Sequence, residues 1–245
     1  MLKTMGKLSL VASLLVAAQS VTAAVIPVDL SGWASEGSGN WTVAGDNNSV
    51  FQSQNGQPTV FFEPGTTSQG EALSGQITVE TTGDDDFIGF VLGYSSGELS
   101  SGDFWLIDWK QNDQGSAFDG LSLSYVGAGA VGTDYWEHSG AVSELQRAAN
   151  LGSTGWADQV TYEFDLVFTN DLIQVYVDDV LEINYSGTFS DGAFGFYNYS
   201  QGSVSYAGLT TQSSNDFIPA SAPGMFLLFS LSFLGLCQRC KYRAK

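Results

Sequence analysis

The sequence predicts an all-β protein, an antiparallel two-sheet sandwich of jelly-roll type. Three observations lead there. Short runs dense in Val, Ile, Phe, Tyr and Trp recur through the chain, each bounded by Gly, Ser, Asn or Asp and too short for a buried helix. In Gln76-Ile77-Thr78-Val79-Glu80 polar and apolar residues alternate, which gives a strand one wet face and one buried face. Helix-periodic stretches are almost absent between the two ends, and many short strands without helices bury their apolar faces by packing sheet on sheet. A chain of 245 residues has room for one such sandwich plus targeting segments.

In chain order, Lys3 and Lys7, the apolar run 8–18 and the small residues Val21-Thr22-Ala23-Ala24 read as a secretory signal peptide over 1–24. Cleavage is expected after Ala23 or Ala24, because the run is short for a span of about 20 residues. The Gly- and Ser-rich piece 25–39 is expected to be partly ordered, with Trp33 packed on the domain. Strands are expected at 40–43, 49–52, 59–63, 73–80, 87–94, 104–110 and 121–126, with Asn55-Gly56 as a tight turn between two of them. From 127 to 157 the alternation stops; this section contains Tyr135-Trp136, the only His (His138) and an expected short helix at 143–149. Such a loop is either a binding surface or an excursion packed by Trp136 and Trp156. Strands resume at 159–168, 172–177, 180–185, 193–199 and 203–209, with hairpin turns at Thr169-Asn170-Asp171 and Asp178-Asp179. The sandwich thus runs over 40–210, and 211–224 reads as linker and sorting motif.

The end of the chain reads as a second targeting signal: Ser221-Ala222-Pro223, an apolar run 225–237, then a basic tail to Lys245. Such a segment passes through the inner membrane with its basic end cytoplasmic. The layout resembles the PEP-CTERM sorting tails of Gram-negative bacteria, with Ser-Ala-Pro standing where Pro-Glu-Pro is usual. The resemblance implies cutting by an exosortase-type sorting enzyme and release or attachment at the cell surface; a permanent single-span anchor is the alternative. Both cysteines, Cys237 and Cys240, belong to this tail, so the exported part has no disulfide.

Charge narrows the partners. Six of the eight basic residues lie at the two ends, so only Lys110 and Arg147 face all 26 acids. Nucleic acid and anionic lipid surfaces are poor partners for such a charge, and cations are good ones. Asp84, Asp85 and Asp86 form a triplet at the start of the strand 87–94, where carboxylates offer a hard cation oxygen ligands; a solvated acidic turn is the alternative. Asp103, Asp108 and Asp119 flank neighbouring strand ends and are further metal candidates. Trp105, Tyr135, Trp136, Tyr197 and Tyr199 are candidate faces for sugar stacking, with His138 beside them.

The similar residues run from about 40 to 209. They include Asn40-Trp41-Thr42-Val43, Val50-Phe51-Gln52-Ser53-Gln54-Asn55, Leu73-Ser74-Gly75-Gln76-Ile77-Thr78-Val79, the acidic triplet with Phe87-Ile88-Gly89-Phe90, Trp109-Lys110-Gln111, Trp136-Glu137-His138-Ser139-Gly140, Gly155-Trp156-Ala157-Asp158 and Gly195-Phe196-Tyr197-Asn198-Tyr199. On these residues the chain resembles the C-terminal, L-type-lectin-like domain of thrombospondins. The resemblance implies a concanavalin A-like jelly roll in an exported protein, calcium (Ca2+) held by acidic loops, and a surface used for adhesion. The family's preceding repeats of alternating aspartates are missing here.

The leading functional reading is a non-catalytic, calcium-shaped module that binds glycan or extracellular polysaccharide at the cell surface. A glycoside hydrolase or lyase is the alternative enzyme, since its two carboxylates would suit this fold. Glu163-Phe164-Asp165 begins the expected Glu-x-Asp-x-Glu pattern, but Val167 holds the third place, so no catalytic residue is assigned. A structural matrix component assembled through calcium is the third reading.

Overall fold

The computed structural model describes residues 24–219. Fifteen strands, β1 (Ile26–Pro27), β2 (Ala34–Gly37), β3 (Trp41–Val43), β4 (Val50–Gln52), β5 (Thr59–Phe62), β6 (Glu71–Val79), β7 (Phe87–Tyr94), β8 (Phe104–Lys110), β9 (Gly120–Val126), β10 (Val142–Arg147), β11 (Thr161–Phe168), β12 (Leu172–Val177), β13 (Val180–Ser186), β14 (Ala193–Tyr199) and β15 (Val204–Ser213), form two antiparallel sheets. The first sheet has the order β13-β12-β11-β6-β15-β4-β3, with β1 also paired to β15; the second has the order β10-β9-β8-β7-β14-β5-β2. Two short helices, α1 (Glu98–Ser101) and α2 (Gly132–Glu137), interrupt the second sheet's connections. No helix among the described residues is long and apolar enough to cross a membrane.

The main core lies between the sheets. Alternate residues of β8 (Trp105, Ile107, Trp109) and β7 (Ile88, Phe90, Leu92) meet Phe164, Leu166 and Phe168 of β11 and Ile77 and Val79 of β6. Phe90 sits 4.4 Å from Phe164 between ring centroids. Each such side chain contributes roughly 1.5–3 kcal/mol by leaving water. The second sheet is buried on its outer face too. There Phe87, Val91, Phe104, Leu106, Val126 and Tyr197 pack beneath Tyr135 and Val142. Burial on both faces is why β7, β8 and β14 read as near-continuous apolar runs rather than as alternating ones.

Most expected strands are present, and the two hairpin turns are where the sequence puts them; Asp178 and Asp179 take φ of 46° and 66° between β12 and β13. Four expectations are corrected. Residues 143–149 do not form a helix. Residues 142–147 are instead the edge strand β10, with Val142 opposite Val126 and a bulge between Glu144 and Gln146. A single isolated turn of helix is costly to nucleate, and the free edge of β9 offers ladder hydrogen bonds instead. The helix of this section comes earlier, at α2. Asn55-Gly56 lies in a crossing between the sheets, since β4 pairs with β3 and β15 while β5 pairs with β14 and β2.

The 25–39 piece is ordered: it forms β1, a 3-10 turn (Leu30–Gly32) and β2. Asn48 Nδ2 binds Val28 O and Leu209 O, pinning the piece to the sandwich, and Trp33 stacks on Phe196. The expected linker, which starts at residue 211, begins inside β15, which pairs as far as Ser213 opposite Glu71. The signal peptide and the sorting tail, with Cys237 and Cys240, lie outside the described residues except for Ala24.

Candidate functional site

Side chains on β8 alternate between the two faces, so Asp108 and Lys110 point away from the main core, on the same side as Phe104 and Leu106. The section 127–141 folds over them. Gly127 N–H donates to Ala141 O at 2.7 Å and closes its base. Asp134 accepts the Val131 N–H and starts α2, and Tyr135 descends into the sheet with its hydroxyl donating to Leu99 O at 2.8 Å. The helix ends at His138, which has φ of 46°. Gly140 follows with φ of 58°, where an added Cβ would lie 2.5 Å from Asp134 Oδ1. The left-handed turn drops the His138 ring onto the sheet.

There His138 Nε2 meets Asp108 Oδ2 at 2.9 Å, and Ser122 Oγ donates to the other Asp108 oxygen at 3.1 Å. Burial opposes charge on this imidazole, yet the Asp108 carboxylate, assisted by Glu144, overrides it and pushes the pKa up to about 10. His138 is therefore an imidazolium at neutral pH. Its Nδ1 lies 3.5 Å from Glu144 Oε2, which also accepts from Arg147 Nε at 3.0 Å. Arg147 reaches on to Asp119 O and Gly152 O, tying the loops 111–119 and 148–153 together. Buried Glu182 accepts the N–H groups of Asn150 and Leu151 and fixes the second loop from behind.

These contacts frame a cleft of about 540 Å³ on the outer face of the second sheet. Phe118, Trp136 and Phe87 form its apolar walls, and Asp113, Ser116, Asp119, Glu137, Glu144 and Arg147 line its rim. Phe118 is 60% exposed and half-buried Trp136 stands edge-on to Phe87 and Tyr199. Behind Trp136 the ammonium of Lys110 lies 4.8 Å from the indole and 5.1 Å from the Phe87 ring. The arrangement can hold a flat, partly apolar ligand against two rings while the rim makes hydrogen bonds.

Lys110 is fully buried, and its ammonium binds Asp86 Oδ1 at 2.8 Å and Gln114 Oε1 at 2.7 Å. It links the cleft to the acidic turn. Carboxylate oxygens of Asp84, Asp85 and Asp86 lie within 4.8 Å of one another. Burial, with the Asp86 charge second, raises the Asp84 pKa. Around Asp84 and Asp85 stand the oxygen-bearing side chains of Thr82, Gln111, Asn112 and Gln114. The crowded carboxylates of Asp84 and Asp85 fit calcium, but Asn55, Asn112 and Gln114 turn amide nitrogens onto them and would have to rotate to admit the ion. Asp86 fits less well, because Lys110 already neutralises it.

The six metal candidates do not form one centre. Asp103 sits at the start of β8 with its carboxylate on the Tyr125 hydroxyl, Asp108 is paired with His138 beneath α2, and Asp119 lies on the cleft rim. Of the ligand candidates, only Trp136 and His138 line the cleft. Trp105 is an inter-sheet core residue against Phe189, and Tyr135 and Tyr197 are buried under the cap at 2% and 0% exposure. Tyr199 backs Trp136. These four are correspondingly packing residues, because aromatics in a sandwich with both faces of one sheet covered are needed to fill it. Phe118, Ser116, Asp113, Glu137, Glu144 and Arg147 escaped the sequence reading. Two signals were available: Phe118 as a lone aromatic in a Gly-Ser-Ala-Phe-Asp-Gly loop, and Arg147 as one of two bases between the chain's basic ends.

The fold and this surface define the class, an antiparallel two-sheet jelly-roll sandwich with a solvent-open cleft on one sheet. Comparison with known proteins sharpens it: residues 36–128 match the profile of the thrombospondin C-terminal region. Thrombospondin-2 of Gallus gallus is 27% identical over 208 residues, covering 76% of this chain and 17% of that protein. Thrombospondin-4 of Bos taurus is 26% identical over 203 residues, with coverage of 74% and 20%. The chain thus spans about a fifth of the length of these relatives. Among solved structures, the carbohydrate-binding module CBM66 from Bacillus subtilis superposes with a TM-score of 0.55 at 14% identity, over 74% of this chain and 96% of that one. The VIP36 exoplasmic/lumenal domain in its Ca2+/Man2-bound form gives 0.53 at 11% identity, over 80% and 90%. These last two are likenesses of fold. The profile match ends at residue 128, where the cap that forms the cleft begins.

Proposed function

We propose that this chain is an exported, non-catalytic module that binds glycan in the cleft of its second sheet, with calcium held at Asp84 and Asp85. The observation that carries the reading is the cleft itself: about 540 Å³, open to solvent, with Phe118 and Trp136 as ring faces and a rim of hydrogen-bonding side chains. C–H faces of a pyranose pack on such rings while hydroxyls bond the rim. Support comes from the lectin-like fold and from the kinds of protein that share it, one named as a carbohydrate-binding module and one described with calcium and mannose. Similarity to thrombospondins and the signal-like N-terminus support export, and the C-terminal tail supports handling by an exosortase-type enzyme at the membrane.

A glycan array followed by calorimetry on the best ligand tests this. Phe118→Ala and Trp136→Ala are expected to weaken binding about tenfold or more, while Trp33→Ala, remote from the cleft, leaves it unchanged. Binding that survives both cleft changes would place the site elsewhere, and no glycan bound at all would end the reading.

A further inference from the structure

We propose that the cleft selects a cationic amino-sugar polymer, a glycan carrying free primary amines, over neutral or uronic-acid polysaccharides. This rests on the glycan reading above and adds the charge class of its ligand. The charged groups of the cleft are unequally paired. Both cations there are already engaged. Arg147 holds Glu144 through Nε and Nη2, each at 3.0 Å, and gives Nη1 to the Asp119 and Gly152 carbonyls. His138 is held by Asp108 at 2.9 Å and by Glu144 at 3.5 Å. Lys110, behind the Trp136 wall, is fully buried on Asp86 and Gln114.

Three carboxylates are left without a cation. Asp113 accepts only the Asp119 N–H, at 2.8 Å, and Glu137 accepts the Ser116 hydroxyl, at 2.7 Å. No described protein group donates to the Asp119 carboxylate. All three stand on the rim of the same cleft, beside the exposed ring of Phe118. A uronate in this cleft would meet like charge and no free cation, whereas an ammonium group brings three donors to acceptors that lack them. The exposed ring of Phe118 adds attraction for a cation above its face. Between its two ends the chain carries, cleft included, 26 acids against two bases, a field that draws a polycation toward the surface.

The test is calorimetry on the full chain with four probes: glucosamine oligomers, their fully N-acetylated counterparts, oligogalacturonate, and oligolysine of matched charge. Glucosamine oligomers are expected to bind about tenfold tighter than the acetylated ones and far tighter than oligogalacturonate. Asp119→Asn and Glu137→Gln, which keep shape and remove charge, should each erode that preference roughly two- to fivefold with unchanged unfolding midpoints. Equal or tighter binding of the acetylated oligomers, still weakened by Phe118→Ala, overturns the charge inference and leaves the glycan reading standing. Oligolysine binding as tightly as glucosamine oligomers also overturns it, by showing bulk attraction of polycations without sugar recognition. If no saccharide binds, the glycan reading fails first and this one with it.

Discussion

The two faces of β8 are both buried, but by opposite chemistry. Inward it offers Trp105, Ile107 and Trp109 to the opposite sheet, a dry contact with little directional demand. Outward it offers Phe104 and Leu106, then Asp108 and Lys110, two charges 1% and 0% exposed that are satisfied only by residues arriving from elsewhere. Apolar packing tolerates substitution of similar volume, whereas a buried charge demands one partner in one place. The inner face therefore supplies stability, and the outer face specifies where the cap and the acidic turn sit.

The largest expected effects probe the outer face. His138→Ala and Lys110→Met each strand a buried carboxylate and should cost about 3–5 kcal/mol in urea unfolding. Replacing Lys110 and Asp86 together by apolar residues of similar volume should cost clearly less than the two single changes summed. If the singles cost under 1 kcal/mol, the outer face is not held by its charges and the contrast collapses. Ile107→Ala on the inner face is expected to cost about 2–4 kcal/mol, through lost burial and a cavity, without moving the cap.

Acidity offers a finer probe. The folded His138 pKa, near 10, lies above its ordinary 6.5. Its ion pair thus stabilises fully below pH 6.5, and this contribution is lost as pH rises toward and through 10. Wild type should lose more stability than His138→Gln across that interval; parallel curves would show that the imidazolium is not coupled to folding. Calcium should raise the unfolding free energy by about 2.7 kcal/mol at a hundredfold excess over Kd, increasing with the logarithm of calcium concentration, and Asp84→Asn or Asp85→Asn should abolish this. A shift no larger than that from matched ionic strength would reduce the turn to a solvated one. Smallest of all, Phe118→Ala should change stability by no more than about 0.5 kcal/mol, since the ring packs on little, while weakening glycan binding.

The strands were legible because their signal is local. Alternation, β-branched and aromatic enrichment and turn dipeptides placed β7, β8, β12 and β14 at the bounds that the structure shows. The acidic turn was equally plain, three aspartates in a row at the mouth of β7. Edge positions misled: β10 owes its conformation to the free side of β9, a neighbour that no window of sequence contains.

By itself, then, the sequence determined an acidic two-sheet sandwich and the residues that fill it, because periodicity and composition act within a few residues. Only the tertiary structure decided which aromatics are walls and which are core. It also brought Asp108 to His138, Lys110 to Trp136, and Phe118 across from the cap. Those meetings depend on sheet register and on one left-handed turn at the end of α2, and they join residues tens of positions apart, beyond the reach of any local pattern.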